Sequence, residues 1–524
     1  MVKKIVFLIM ASLLVIGLVL PGCTGEKLEP VLYVFENGKI SIGIAGELNY
    51  TAGAIQWAGA TLAQEAINRN GGVEIGGVSY ILELISIETG EETVDPTGLT
   101  GVAALTAAID SVDFILGGLR AEAVEVYRDV AMEKGVIFIN CGAAAETLQH
   151  SVVNDYAGYR FWFKGAPYNE YFLGQSVVKT LGAVAIKLRE EMGVAANYTL
   201  KAAIIADNLA WAYEQVVVIQ ELLDGINVNL VHGPYWVKAT GNTIEMQNVL
   251  TSIAGLDPQF IIPIFSADAG ALYDVQRASY VPNAMSVGIN VMAQIKAPWS
   301  ANLTTAPPGG PACVYEVILD SWAEGLEQTE KTAAFLDAFM TSSGGEYPLN
   351  TAATYDALLG LKAAIEAVAW YYAEEGVAYA RVDDIVQWME DPANAQVTTT
   401  GLTVYYPRPA TKAAGKPALT EAQVRLLYDL GSYNYTYTYD AKDWTMPAHT
   451  THDLAYGPGL LTGIGAQWQW DDEASQWKKV GVWPMDFGDE YDEALTDQYG
   501  CWNFAYNGTM PLVVPQNIID HHKP

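Results

Sequence analysis

The sequence predicts an α/β protein of two lobes, each with a doubly wound parallel sheet, followed by a β-rich C-terminal extension. Three observations carry this reading. Short apolar strands and amphipathic helices alternate from residue 39 onward. The alternation restarts near residue 201, and after residue 392 Tyr, Trp and Thr rise at the expense of helical periodicity. At 524 residues the chain is long for a single core. With 51% hydrophobic and 17% charged residues, it has the balance of a folded chain. Its net charge of −32 sets up a field that repels nucleic acid and anionic lipid surfaces alike.

At the start, Lys3-Lys4 precedes an uncharged apolar run, Ile5 to Leu20, and then Leu20-Pro21-Gly22-Cys23. This resembles the signal peptide and lipobox of secreted lipoproteins, which implies cleavage after residue 22 and a lipid on Cys23; Pro21 is unusual there. The other reading is an uncleaved transmembrane anchor, for which the run is short. Either way the remainder lies outside the membrane, and no second long apolar span occurs. Residues 23–37 read as a tether.

The first strand is Lys39–Ala45, and the helix from about Ala54 to Asn68 places Ile55, Ala58, Leu62 and Ala66 on one face. Gly71-Gly72 and Gly76-Gly77 turn the chain into the strand Tyr80–Ile87. A helix within Gly101–Asp110 leads to a βαβ unit. Its strands Phe114–Leu116 and Val136–Ile139 flank a helix from Ala121 to Lys134. Tyr159–Lys164 reads as a connecting strand and roughly Tyr168 to Met192 as a long helix. The second series has strands at Lys201–Ala206, Asn227–Val231, Phe260–Phe265 and Met285–Ile289, with helices near Leu209–Leu223, Ile244–Ala254 and Asp268–Ser279. Two helices, Glu330–Met340 and Thr351–Glu375, follow without a strand between them and are expected to cap the first lobe. In the tail, Tyr433–Tyr439 alternates as a strand, and Gln467–Trp470 with Val480–Trp483 reads as a hairpin packed on the second lobe.

Four cysteines are too few for a disulfide scaffold; with Cys23 given to lipid, Cys313–Cys501 is the preferred pair because Cys141 follows a buried strand. Glycosylation sequons stand at Asn49, Asn197, Asn302, Asn434 and Asn507.

Function is sought first at the carboxyl ends of the βαβ strands, where open α/β sheets bind ligands. Those ends are Gly117-Gly118 before Arg120-Ala121, and Cys141 to Ala144. They form either one wall of a binding site or merely tight turns. Tyr50, Trp57, Tyr168, Tyr171 and Trp211 are the aromatic residues near the expected cleft, with Tyr50 and Tyr168 placed to cover an apolar ligand.

The stretch Lys39 to Leu148 resembles the type I periplasmic binding proteins, in particular the branched-chain amino-acid group that serves ABC importers. The residues responsible are Ile42-Gly43-Ile44, Gly59-Ala60 through Ala63, Ala66-Ile67-Asn68 with Gly71-Gly72, Tyr80 to Leu84, Ile115-Leu116-Gly117 and Lys134 to Ile137. The likeness continues less sharply to about residue 400. It implies two Rossmann-like lobes joined by three crossing segments, with a small ligand trapped between them by closure. Crossings are then expected near Phe163–Pro167, Asn290–Lys296 and residues 390–402. Lobe 1 would comprise residues 38–165 and 297–392, and lobe 2 residues 166–296 and 393–524.

The resemblance also implies site residues. The hydroxyl that binds the ligand carboxylate falls on Ala121, and the next loop contact on Gly142 and Ala144, so only backbone donors remain there. Arg120 either replaces the lost donors with a bidentate grip or forms a surface ion pair with Glu122 or Glu125. The acidic positions that hold the ligand ammonium fall on Asn169 and Asn290, which accept a hydrogen bond but cannot neutralise a charge. Asp268 or Glu47 is then needed to supply the charge, unless the ligand is a neutral amide or simple carboxylate. Ser266, after the strand Phe260–Phe265, completes the set. The partners implied are a small solute, an importer permease and, through Cys23, the outer face of the cell membrane; no cofactor or metal is expected. A sensor using the same cleft without transport is the alternative. An enzyme is disfavoured, since six histidines, no Gly-X-Ser-X-Gly elbow and no P-loop assemble nothing. His449-Thr-Thr-His452-Asp453, with His521-His522, is the one metal-like pattern, and Pro447 and Gly457-Pro458-Gly459 put it in a loop.

Overall fold

The computed structural model describes residues 31–403, 405, 452–454, 456, 461, 463–483 and 510–524. Cys23 and its leader, Tyr433–Tyr439, Asn434, His449, Cys501 and Asn507 lie outside them. After β1 (Leu32–Phe35) the chain enters lobe 1 at β2 (Lys39–Gly46) and continues into α1 (Thr51–Arg69). Then come β3 (Val73–Ile75), β4 (Val78–Glu88), α2 (Leu99–Ala108), β5 (Phe114–Gly117), α3 (Ala121–Lys134), β6 (Phe138–Asn140) and β7 (Trp162–Lys164). These strands form one sheet in the order β3-β4-β2-β5-β6-β7, parallel throughout except for β3 at its edge. β5, β6 and β7 are buried along their whole length, as strands covered on both faces must be, and their residues are accordingly apolar with few exceptions.

Lobe 2 begins at α4 (Glu170–Met192) and alternates through β8 (Leu200–Asp207), α5 (Ala210–Leu222), β9 (Val228–Val237), α6 (Thr243–Ala254), β10 (Phe260–Phe265), α7 (Ala269–Tyr280), β11 (Met285–Asn290) and β12 (Val317–Asp320). Its sheet runs β9-β8-β10-β11-β12, all parallel. In both lobes the first strand therefore lies inside the sheet, with the second on one side and the later ones on the other. That reversal creates a switch point between β2 and β5 in lobe 1 and between β8 and β10 in lobe 2.

The chain then returns to lobe 1 with α8 (Thr332–Ser342) and α9 (Thr354–Val368), which pack on α1. α9 stops at Val368, short of the expected Glu375, because Trp370–Tyr372 is strand β13. It pairs with β14 (Val377–Arg381), and β14 with β1, in a separate three-stranded sheet. α10 (Val382–Glu390), β15 (Gln396–Val397) and β16 (Leu402–Thr403) lead back toward lobe 2. There β17 (Ile464–Asp471) pairs antiparallel with β12, and β18 (Gln476–Trp483) with β17, which is the expected hairpin. The terminal helix α11 is Gln516–His522.

One boundary needs correction. The second crossing was expected at Asn290–Lys296, but β12 pairs with β11 in register Val287↔Val317, so the chain leaves lobe 2 only after Asp320. Residues 297–320 thus belong to lobe 2 and not lobe 1. Their loop structure, with Ala306-Pro-Pro-Gly-Gly-Pro311, concealed a four-residue strand. The hairpin is integral to the lobe. Trp468 is fully buried and donates to the Ala293 carbonyl at 2.7 Å, and Trp477 donates to the Thr305 carbonyl at 2.8 Å. Cys313 is buried beneath the same tryptophans.

Candidate functional site

The site is assembled from strand ends. β5 runs into Gly117 and Gly118, both at positive φ (+121° and +85°), and a Cβ on Gly117 would meet the Ala45 carbonyl oxygen at 2.2 Å. A Cβ on Gly142, after β6, would meet the Gly118 carbonyl at 2.2 Å. Only glycine lets these backbones close on one another, and the result aims the N-terminus of α3 at the space between the lobes. A cavity of about 130 Å³ lies there, lined by Leu119, Arg120, Ala121, Glu122, Gly142 and Ala144 from lobe 1. Lobe 2 contributes Leu173, Leu209, Trp211, Ser266, Ile289, Leu319 and Asp320, and the crossing segments Pro167, Tyr168 and Ser321. The lining is mostly apolar with a few polar groups, the composition of a small-molecule pocket. It spans both switch points.

The lobes touch across it. Glu122 Oε1 accepts a hydrogen bond from the Ala210 amide, 2.9 Å away at the start of α5. α5 has no side-chain cap of its own at Leu209, so the cap comes from the opposite lobe. Glu122 Oε2 also lies 3.6 Å from Arg120 Nε.

Electrostatics run against a simple anion site. The Leu119 and Arg120 amides, at the α3 N-terminus, donate to Glu91 Oε2 at 3.3 and 2.9 Å. Thr89 and Tyr127 donate to the same carboxylate. The protein's own carboxylate thus occupies the two amides that lead into α3, those of Leu119 and Arg120, and not those of Ala121, Gly142 and Ala144. Burial pushes Glu91 up to about 7 despite these bonds. Glu92, in the cavity wall, is pushed up to about 8, first by burial and then by Glu91, with Glu47 and Glu122 adding and Arg120 opposing. Asp207, at the end of β8, accepts from the Ser266 amide at 2.7 Å and hydroxyl at 2.9 Å, and burial raises it to about 7. In lobe 2, Asp320 pairs with the buried Lys479 of β18, whose ammonium also donates to the Gln294 carbonyl at 2.7 Å. Asp320 and Gln294 line the cavity, so the C-terminal hairpin supports its wall.

Of the residues expected at the site, Arg120, Ala121, Gly142, Ala144, Tyr168 and Ser266 line the cavity. Tyr50 precedes α1 and Asp268 precedes α7 outside the lining; burial and then the charges of Glu92, Asp268, Asp207 and Glu47 raise the Tyr50 phenol. Asn169 and Asn290 are committed elsewhere. Asn169 caps α4, accepting from the Phe172 amide at 3.1 Å and donating to Asp453 at 2.7 Å. Asn290 donates to Asp274 at 2.9 Å and to Glu316 at 3.3 Å behind the sheet. Neither faces the cavity. Glu47 is likewise spent, accepting from the Glu92 and Thr93 amides at 2.7 and 2.8 Å. Sequence reasoning did not assign Glu92, Leu173, Gln294 or Asp320 to the site. Glu92 follows a strand end in Glu88-Thr-Gly-Glu91-Glu92, and that position was its only signal.

His449 of the metal-like pattern lies outside the described residues, and among these His452 and the His521-His522 pair have separate partners. His452 is buried, with Nδ1 2.7 Å from the Trp162 carbonyl and Nε2 2.8 Å from Glu390. His521, His522 and Asp257 do cluster within 4.8 Å. Each ring nitrogen already has a protein partner: Asn283 and Asp257 for His521, and Gln259 and the Asn283 carbonyl for His522. They fasten α11 to lobe 2.

Two lobes with this strand order and a ligand-sized cavity between them define the type I periplasmic-binding-protein fold. The solved structures this chain resembles carry the same architecture. One is the branched-chain amino acid transporter substrate-binding protein LivJ from Streptococcus pneumoniae in complex with isoleucine; identity is 18%, 70% of this chain and 92% of that chain are covered, and the TM-score is 0.52. Another is a solute-binding protein of an ABC transporter from Rhodopseudomonas palustris in complex with 3,4-dihydroxybenzoic acid, at 12% identity, 85% and 97% coverage and TM-score 0.56. A third, the leucine-, isoleucine-, valine-, threonine- and alanine-binding protein from Brucella ovis in a closed conformation, matches at 15% identity, 70% and 85% coverage and TM-score 0.51. No protein-family model and no curated protein matches the sequence. Among the described residues no helix is long and apolar enough to cross a membrane.

Proposed function

We propose that this protein is the extracytoplasmic substrate-binding lipoprotein of an ABC importer, anchored through Cys23, and that it captures a small amino-acid-like, amide or carboxylate solute by lobe closure. The observation that carries the reading is the cavity at the two switch points, bounded by Arg120 and Ser266 from opposite lobes. Binding there needs no covalent chemistry: the solute bridges the lobes, water is excluded, and the closed form is read by a permease. The bound ligands of the similar structures, an amino acid and a benzoate, support this size class. Thermal-shift screening of the mature protein against amino acids, amides, short carboxylates, sugars and nucleosides tests it. A ligand at 100 times its Kd adds about 2.7 kcal/mol of stability. Stabilisation by sugars or nucleosides alone refutes the solute class.

A further inference from the structure

We propose that the outer face of the small sheet β1-β14-β13 rests on the zwitterionic headgroup layer of the membrane that anchors the chain. This seat rests on the reading of Cys23 as lipid-bearing and goes beyond it: the anchor decides where the chain is held, and the sheet decides which end of the molecule meets lipid.

The face is built by alternation. Along β1, Tyr33 and Phe35 are buried, while Leu32 and Val34 point outward and are 45% and 40% exposed. Register carries the same face across the sheet: Leu32 stands opposite Arg381, Val34 opposite Tyr379, and Tyr379 in turn opposite Trp370. Tyr372 lies on the same side of β13 as Trp370, and the two are 42% and 39% exposed. An antiparallel sheet with one face in water ordinarily turns polar side chains outward. Here the outward set is aliphatic and aromatic, with Arg381 its charged member. Trp370 and Tyr379 stack with ring centroids 6.1 Å apart, and the Arg381 guanidinium lies 5.9 Å from the Trp370 ring centre. Such residues settle at a lipid–water interface, the rings among the headgroups and the guanidinium on a lipid phosphate. Acids border the face: Tyr372 donates to Glu374 at 2.9 Å, and Tyr379 donates to Glu375. With a net charge of −32, that border disfavours an anionic surface and selects zwitterionic lipid.

Chain length says what covers this face. From Cys23 to Leu32 is nine residues, at most about 30 Å of extended chain. A compact protein of this length has a radius of gyration of about 23 Å and hence a diameter of about 60 Å. The bilayer therefore lies within half the molecule's width of β1, and a short tether presents the face to it at high effective concentration. The seat also leaves the binding site open. Tyr33 packs on Phe114 with ring centroids 4.6 Å apart, and its hydroxyl accepts from the Ile137 amide at 3.0 Å. These contacts are at the amino ends of β5 and β6, whereas the cleft lies beyond their carboxyl ends, at Leu119 and Gly142. Seated on this face, the protein holds its cleft on the side of lobe 1 away from the bilayer.

The test uses the mature protein in phosphatidylcholine bilayers, with mass spectrometry to read the lipid on Cys23. In vesicles whose acyl chains are brominated near the headgroup, the fluorescence difference between wild type and Trp370→Phe isolates Trp370 and should be quenched about twofold or more. Neutron reflectometry should place the wild type within about 5 Å of the headgroups, and Val34→Glu/Trp370→Glu about 10 Å or further away on its tether. Both replaced side chains are exposed, so the melting temperature should not change. An unmodified Cys23 overturns the lipoprotein reading and the seat with it. A lipidated Cys23 with no quenching of Trp370, or an equal gap in the two proteins, overturns the seat and leaves the anchor standing. A seat that forms only on bilayers containing phosphatidylglycerol overturns the zwitterionic assignment. A dimer of the Cys23→Ser chain that Val34→Glu/Trp370→Glu dissolves assigns the face to a second copy and likewise overturns the seat.

Discussion

Lys479→Met should destabilise lobe 2 by about 3–5 kcal/mol, the cost of removing one partner from a buried ion pair. Both side chains of the Lys479–Asp320 pair are wholly buried, and burial already raises the Asp320 carboxyl against the pull of the ammonium. Methionine keeps most of the length of the lysine stem, so the loss is electrostatic more than steric. It leaves Asp320 with the Ser321 amide at 2.7 Å and the Trp322 amide at 3.4 Å, and strips the Gln294 carbonyl of its donor. For a lobe of this size the loss corresponds to roughly 10 °C in melting temperature. Calorimetry on the wild type, Lys479→Met and the double variant Asp320→Asn/Lys479→Met measures it. The double variant should recover at least half of the loss, because two neutral groups need no charge partner. The single variant should also be less impaired at pH 5 than at pH 8, because burial without the ammonium makes the folded Asp320 carboxyl hold its proton more tightly than the unfolded one. A deficit below about 1 kcal/mol, or a double variant no better than the single, refutes the claim that the C-terminal hairpin braces the cavity wall by this pair.

Two further outcomes follow from the cleft. Glu122→Ala removes the cross-lobe cap from the Ala210 amide, 2.9 Å away, and should disfavour the closed form of the empty protein by about 1 kcal/mol. Small-angle scattering should then show a larger radius of gyration; an unchanged value sinks the latch. The second outcome concerns pH. Glu91, Glu92, Asp207 and Glu170 are all raised by burial, to about 7, 8, 7 and 8. The folded state therefore binds more protons than the unfolded one above about pH 4.5, the ordinary glutamate value. That contribution is fully present below the unfolded value and is lost as pH rises through about 7 and 8, at about 1.4 kcal/mol for each tenfold difference in proton affinity between the folded and unfolded chain. Melting temperature without ligand should fall between about pH 5.5 and 7.5, and a rise across that window contradicts the assignment.

The elements were legible because periodicity is local. Ala121 to Lys134 is the expected helix residue for residue, and the expected strand Phe260–Phe265 is β10. Where a signal was weak the reading slipped. β12 is four residues long, lies after a Pro- and Gly-rich loop, and is held in the sheet by β11 and β17 from both sides. Val317-Ile318-Leu319 is an apolar run like Phe114-Ile115-Leu116 of β5, but no long helix precedes it to mark the strand–helix alternation. The hairpin was recognisable from its own alternation, but its partner strand was not.

The site divides in the same way. Strand ends, the glycines at 117 and 142, and thus the lobe 1 wall through Arg120 to Ala144, follow from the sequence, since a turn's requirements are written in its own residues. The occupancy of hydrogen-bonding groups does not. Asn169 caps its own helix, Asn290 turns to Asp274, and Glu91 takes the amides of Leu119 and Arg120, just ahead of α3, from a loop 28 residues earlier than Leu119. Lys479 reaches Asp320 across 159 residues. Burial and charge pairing depend on which segments meet in space, and they decide whether a carboxyl is ionised or free for a ligand. Two wound sheets were therefore readable from local pattern, and the expectation of a cleft between them came from the resemblance. That the cleft is acidic, capped across the lobes by Glu122 and braced by the C-terminal hairpin arises only when distant segments pack together.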